Sequence, residues 1–188
     1  FARHFNVPVF STEKTAKHAF LCSNEELINH INKKDTVNIC GMEVEAFSKS
    51  HKAIDPVSFT ITNGKRVSVI TDVGYACKNV TSHVGDADFL FLESNHDLAM
   101  LESGPYPYFL KKWVKGDDGH LSNKQAGLCV MEHATPKLKK VVLSHLSSTN
   151  NLPAIALKTF ESLIKERSDL KIKAHVSVRE KPTKVFRV

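Results

Sequence analysis

The sequence predicts one mixed α/β domain spanning residues 1–188, and three observations carry that prediction. The apolar run Phe89-Leu90-Phe91-Leu92 breaks at once into Glu93-Ser94-Asn95-His96-Asp97, as a buried strand does when its carboxyl end opens into a site. Val141-Val142-Leu143 repeats the arrangement and runs directly into Ser144-His145-Leu146-Ser147-Ser148-Thr149-Asn150-Asn151. Apolar residues alternate with period two between Thr36 and Ile70, then take helical spacing in later stretches such as residues 154–167.

In chain order, Phe1 to Asn6 reads as the tail of a helix, and Val7-Pro8-Val9-Phe10 as a short strand whose proline marks an edge or a start. Ser11-Thr12-Glu13 puts hydroxyls ahead of a helix that ends near Phe20. Ser23 with Glu26 fits a capping box for a second helix, with Leu27, Ile28 and Ile31 on one face. Two hairpins follow. Val37 and Ile39 lead through Cys40-Gly41 into Met42, Val44 and Ala46, and this pair ends at Ser50-His51. Val57 to Thr62 and Val67 to Ile70 flank Asn63-Gly64, a pair that supplies the positive φ of a two-residue connection, and end at Thr71-Asp72-Val73-Gly74-Tyr75.

Ala76 to Val84 includes a helix, Phe89 to Leu92 is the buried strand, and Asp97 to Leu101 makes a helical turn. Tyr108 to Val114 is helical, with Lys111, Lys112 and Lys115 outward. Ser122 or Asn123 caps a helix running to about His133, Thr135-Pro136 stops it, and Lys139 to Leu143 is the next strand. Pro153 sits in the first turn of the helix from Ala154 to Arg167, whose Leu157, Phe160 and Ile164 form a core face. Lys171 to Val178 alternates like an edge strand, and Glu180 to Val188 is a basic tail.

The 188 residues, 41% of them hydrophobic, suffice for one core and fall short of two ordinary domains. The excess of 26 basic over 20 acidic residues is compatible with a polyanionic partner without requiring one. Cys22, Cys40, Cys77 and Cys129 lie far apart and form no C-x-x-C pair, which fits reduced thiols in a cytoplasmic protein. No apolar stretch reaches the roughly 20 residues of a membrane helix, so no membrane partner is expected.

Chemistry concentrates at strand ends. His51, Asp72 and His145 each stand at the carboxyl end of a predicted strand, flanked by Ser, Thr or Gly. Imidazole and carboxylate are the donors expected for zinc, manganese or iron, and an aspartate can bridge two ions through its two oxygens. Any one of the three alone would more often be a cap or a turn residue; the triplet shifts the balance.

Six blocks in order sharpen this reading: Ser50-His51-Lys52-Ala53-Ile54-Asp55-Pro56; Thr71-Asp72-Val73-Gly74-Tyr75; Glu93-Ser94-Asn95-His96-Asp97 with Met100-Leu101; Gly104-Pro105-Tyr106-Pro107; Gly119-His120-Leu121-Ser122-Asn123; and His145-Leu146-Ser147 with Asn150-Asn151. Together they resemble the metallo-β-lactamase fold, and within it the YycJ-type (WalJ-type) exonucleases, kin of the β-CASP and ribonuclease J-type nucleases. The resemblance implies an αββα sandwich, of which this chain is the larger, carboxyl-terminal part. It implies two divalent metal ions (zinc, manganese or iron), with His51 on one, Asp72 bridging both and His145 on the other. Glu93 and His120 match positions that steady the ligands or hold the scissile phosphate, while Asn95, His96, Asp97 and Asn123 are weaker matches for rim or supporting groups. Asn150, Lys111 and Lys112 are expected on the substrate side, with Lys115, Lys137, Lys139 and Lys140 also candidates for the backbone's route. His4, His18, His30, His83, His133 and His175 match no motif.

The activity so implied is a metal-dependent phosphodiesterase on nucleic acid, DNA before RNA, working from the 5′ end. One departure stands out: no H-x-H-x-D-H motif, the family's main metal motif, occurs in the chain, and by the alignment of the opening residues it falls just before Phe1. Without it each ion has only two protein ligands, too few for a tight site. Two other functions therefore stay open: a small-molecule hydrolase of the same fold, such as a thioesterase or lactonase, and a non-enzymatic binding or scaffold protein.

Overall fold

A computed structural model describes residues 1–188. The chain opens with α1 (Ala2–Phe5), β1 (Val9–Ser11) and α2 (Glu13–His18), the last capped by Thr12, whose side chain accepts from the Thr15 amide. The next stretch departs from expectation. Ser23 and Glu26 form no capping box; Asn24 accepts from the Glu26 amide, Glu25–Leu27 makes one 3-10 turn, and Ile28–His30 is a strand, β2, parallel to β1. Pairing wins over helix because β2 then carries the chain into Ile31, which is 1% exposed and donates its amide to the Ser11 carbonyl.

The main sheet has seven strands in sequence order: β3 (Thr36–Ile39), β4 (Met42–Ser48), β5 (Val57–Asn63), β6 (Lys65–Ile70), β7 (Phe89–Glu93), β8 (Lys140–Ser144) and β9 (Lys173–Val176). β3 to β6 are antiparallel, joined by hairpins; β6 to β9 are parallel, joined by helical crossovers. In the first hairpin Cys40 and Gly41 both take positive φ, 52° and 81°, as a two-residue connection requires. The second differs: Thr62 pairs with Arg66 and Asn63 with Lys65, so the turn is centred on Gly64, the one residue there with positive φ.

Helices α3 (Lys78–Asp86), α6 (Asn123–His133) and α7 (Pro153–Ile164) cover one face of the sheet. Ile70, Leu90, Leu92, Val141 and Leu143 from the strands meet Val80, Val84, Val130, Ala156 and Phe160 from the helices in one core. Ser122 and Gln125 cap α6 reciprocally, and Pro153 opens α7. The opposite face is apolar too, as strands buried on both sides require. A row across the sheet runs Ala46, Phe59, Val69, Phe91, Val142, His175. Phe59, Val69 and Phe91 in that row are only half-buried, and Phe186 of the tail packs on Phe89 and His175. Two short helices, α4 (Leu98–Ser103) and α5 (Tyr108–Lys115), follow β7. No helix is long and apolar enough to cross a membrane.

Candidate metal centre

Strand direction gathers the polar residues. β6, β7 and β8 run parallel, with Ile70, Leu92 and Leu143 in register, so Asp72, Glu93 and His145 emerge at one edge. β4 lies antiparallel to β5, as β6 does, so its carboxyl end brings His51 to the same edge. Asp72 and His145 both take left-handed backbone, φ 55° and 58°. Non-glycine residues in that region cost about 1–3 kcal/mol, and such strain is concentrated at functional sites.

Glu93 is the hub. It is completely buried, and its Oε1 accepts from His145 Nδ1 at 2.6 Å, His120 Nδ1 at 2.8 Å and the Asp72 amide at 3.2 Å. Its Oε2 accepts from the amides of Val73 at 2.7 Å and Leu121 at 3.1 Å. Burial pushes the Glu93 carboxyl up, but the hydrogen bonds from His120 and His145 and the Val73 amide outweigh it and hold the group at about 2. The same contact raises His145, against its own burial.

Because each Nδ1 is already committed, the other ring nitrogen is presented outward. His145 Nε2 lies 3.6 Å from Asp72 Oδ1, and His51 Nε2 lies 3.5 Å from the same oxygen. His51 is oriented by its Nδ1, 3.0 Å from the Gly119 carbonyl. Gly119 has to be glycine, since a Cβ there would sit 2.3 Å from the backbone oxygens of Trp113 and Val114. The His120 ring stands between the other two, its centroid 5.1 Å from that of His51 and 5.3 Å from that of His145.

Asp72, Glu93, His120 and His145 each offer a ligand atom within 4.8 Å of the others. Glu93 is nevertheless a poor ligand, because both its oxygens already serve five N–H donors. The donors that remain are Asp72 and the outward nitrogens of His51, His120 and His145, a set that suits a divalent transition ion.

A family model for the Beta-lactamase superfamily domain matches residues 4–146. The chain belongs to this superfamily. Exodeoxyribonuclease YycJ of Bacillus anthracis is 31% identical over 175 residues, covering 88% of this chain and 64% of that protein. Exodeoxyribonuclease WalJ of Streptococcus pneumoniae is 30% identical over 164 residues, covering 84% of this chain and 61% of that protein. The chain thus spans under two thirds of the length of these relatives. In solved structures the same fold occurs in the metallo-beta-lactamase fold protein YhfI from Bacillus subtilis, with a TM-score of 0.64 at 12% identity over 90% of this chain and 61% of that one. It also occurs in Zn(2+)-bound PqqB from Methylobacterium extorquens, with a TM-score of 0.58 at 16% identity over 88% of this chain and 62% of that one.

Within this superfamily member, not every expected site residue reaches the cluster. His51, Asp72, Glu93, His120 and His145 meet there. Asn95 stands beside it, donating from Nδ2 to the His145 carbonyl. His96, Asn123 and Asn150 are 0%, 2% and 1% exposed, so their side chains do not line an open site. Asn123 instead pairs reciprocally with the Asn151 amide and accepts from Ser94 Oγ at 2.6 Å, tying the loop after β7 to those before α6 and α7. Both ring nitrogens of His96 lack partners, and burial pushes it down to about 4. Lys111 bonds the Glu102 carbonyl, and Lys112 is free on the surface of α5. Lys137 and Lys140 lie at the amino end of β8, the far edge of the sheet, where Lys137 pairs with Asp88.

The fold also brings to the site residues that were not expected there, Tyr106 among them although it stands in one of the six motif blocks. Lys49, largely buried, donates to the Thr71 carbonyl at 2.5 Å, beside Asp72; burial pushes it down while Asp72 and Glu93 pull it up. Its place at the end of β4, two residues before His51, was the available clue. Trp113, Tyr106 and Arg179 line a cavity opening on His120 and His145. Only folding juxtaposes these three.

Proposed function

We propose that this chain forms one wall of a dinuclear metal site, and that the intact protein is a metal-dependent phosphodiesterase degrading DNA from its 5′ end. One observation carries the reading: two imidazoles, each held through Nδ1, present Nε2 to a single oxygen of Asp72. A carboxylate with an imidazole nitrogen on each side could be shared between two ions. His51 and Asp72 would hold one ion and Asp72 and His145 the other, with two further family ligands only if the intact protein carries an H-x-H-x-D-H motif. Zinc, manganese and iron all accept these donors. The two relatives named exodeoxyribonuclease support nucleic acid, and DNA within it, as the substrate.

Divalent ions bound here supply Lewis acidity and lower the pKa of water. The residues of this chain do the rest. Glu93 fixes the orientation of His120 and His145, so the donors pay little reorganisation as charge develops. His120 donates from Nδ1 to Glu93, and its Nε2 would serve as a metal donor or, with both ring nitrogens protonated, would donate to a phosphate oxygen. Hydrolysis adds water across one P–O bond, leaving phosphate on the shortened strand and a proton on the departing 3′ oxygen.

The test is Asp72→Asn in the full-length protein, because Asn tolerates the left-handed backbone at this position while removing the charge. Bound metal, measured by elemental analysis, should be lost, and cleavage of a 5′-labelled strand should fall by about a hundredfold or more. Wild-type rates in that variant would remove Asp72 from the mechanism. Cleavage of the strand should also weaken steeply with added salt, and a rate indifferent to salt would favour a small neutral substrate.

A further inference from the structure

Asp72 and His145 both take a backbone conformation that few side chains adopt, and each is held there by a side chain that donates to a neighbouring carbonyl. At His145 the donor is neutral: Asn95 Nδ2 reaches the His145 carbonyl at 2.9 Å. At Asp72 four successive residues are tied down. The Thr71 carbonyl accepts from Lys49 Nζ at 2.5 Å, the amides of Asp72 and Val73 donate to Glu93, and the Gly74 amide donates to the Ser50 carbonyl at 2.8 Å. Gly74 also lies so close to the loop before His120 that a Cβ would sit 1.7 Å from the Asp117 carbonyl oxygen, which fixes that end of the turn.

Among the members of this clamp Lys49 alone is a cation. Its stem is rooted in an anchored stretch, since Asn79 Nδ2 donates to the Ser48 carbonyl at 3.2 Å and His51 Nδ1 lies 3.0 Å from the Gly119 carbonyl. Asp72 and Glu93 both attract the ammonium, yet it forms an ion pair with neither and settles on the Thr71 carbonyl. A cation in this place has two opposed effects. As a charge it repels a metal ion arriving at Asp72; as a donor it holds the backbone that sets Asp72 Oδ1 3.5 Å from His51 Nε2 and 3.6 Å from His145 Nε2. The second effect prevails here, because an ammonium spent on a carbonyl leaves the Asp72 oxygens open for ligation.

We propose that Lys49 is a positioning residue of the metal centre, locking the left-handed turn that presents Asp72 to His51 and His145. The inference rests on the reading of this cluster as a metal site and is independent of the substrate.

Cobalt(II) is the probe, because its visible absorption reports the ligands around it. The full-length protein is stripped with chelator and titrated with cobalt alone. Lys49→Met should bind cobalt about tenfold more weakly than the wild type and with an altered absorption spectrum, without a loss of melting temperature in chelator. Lys49→Arg keeps a charged donor and should recover most of the lost affinity. Lys137→Met, the same change at the far edge of the sheet, should bind like the wild type. A Lys49→Met variant with wild-type affinity, or a Lys49→Arg variant no better than Lys49→Met, would overturn the inference. Tighter binding in Lys49→Met would overturn it too, leaving Lys49 as a repelling charge only. Lys49-dependent cobalt binding in a protein that cleaves no DNA would sink the nuclease reading and leave this one standing. Asp72-dependent DNA cleavage together with wild-type cobalt affinity in Lys49→Met would do the reverse, and no cobalt uptake by the wild type would overturn both.

Discussion

The two edges of β6, β7 and β8 each hold a buried carboxylate among basic groups, and they do different things with it. At the amino edge Asp88 meets Lys65 at 3.2 Å and Lys137 at 3.4 Å and accepts from the Arg66 amide at 3.0 Å. Both lysines are about half exposed and donate from flexible stems, so solvent screens the pairs and nothing is left wanting. At the carboxyl edge Glu93 is sealed from water and its partners are imidazoles, each with a second nitrogen aimed elsewhere. A lysine spends its charge on its partner; a histidine held at Nδ1 still has Nε2 to give. Glu93 therefore organises a site where Asp88 only closes one. The backbone differs in the same sense, with left-handed residues at Asp72 and His145.

The largest test of this contrast is Glu93→Ala. Removing the hub strands two imidazoles and three amides in a dry pocket, which should cost about 3–5 kcal/mol in urea unfolding. A loss of under about 1 kcal/mol would mean the carboxyl edge is no more demanding than the amino one.

His96, in the loop that leaves Glu93, supplies a pH test. Its folded pKa lies at about 4 against an ordinary 6.5, chiefly from burial. Between those values the unfolded chain binds a proton that the folded chain refuses. Stability should be complete above about pH 6.5, decline as pH falls through the window and level off below about 4, a change of about 3 kcal/mol. His96→Leu forfeits no hydrogen bond, because both ring nitrogens are unpartnered, and should flatten that slope. An unchanged slope would assign it to other groups. Glu93 acts lower, its contribution being lost only as pH drops from 4.5 toward 2.

The smallest effect is expected at the amino edge. Lys65→Ala should shift stability by about 0.5 kcal/mol, since Lys137 and the Arg66 amide still serve Asp88. A cost several times larger would make Asp88 a hub like Glu93.

Much of this was legible along the chain. The runs ending at Glu93 and at His145 read as buried strands because four and three apolar residues stop abruptly at polar ones, and the caps at Thr12, Asp97 and Ser122 are local hydrogen bonds between near neighbours. The stretch from Ser23 to Ile31 misled because its spacing suits a helix equally well, and the partner that makes it a strand, β1, lies 17 or more residues away. Asn123 and Asn150 misled in another way. A polar residue beside a motif looks the same whether it faces solvent or ties loops together, and only burial tells the two apart.

What the sequence determined by itself was the set of strand ends and the residue types standing on them, because hydrophobic period and chain breaks are properties of neighbours. Which nitrogen of His51 and of His145 faces Asp72, that both oxygens of Glu93 accept from five N–H donors, and that Arg179 and Trp113 line one cavity were decided by tertiary structure alone. Parallel strands bring residues 21 and 52 positions apart to one edge, and the orientation of a ring depends on what occupies its other side, which no spacing along the chain records.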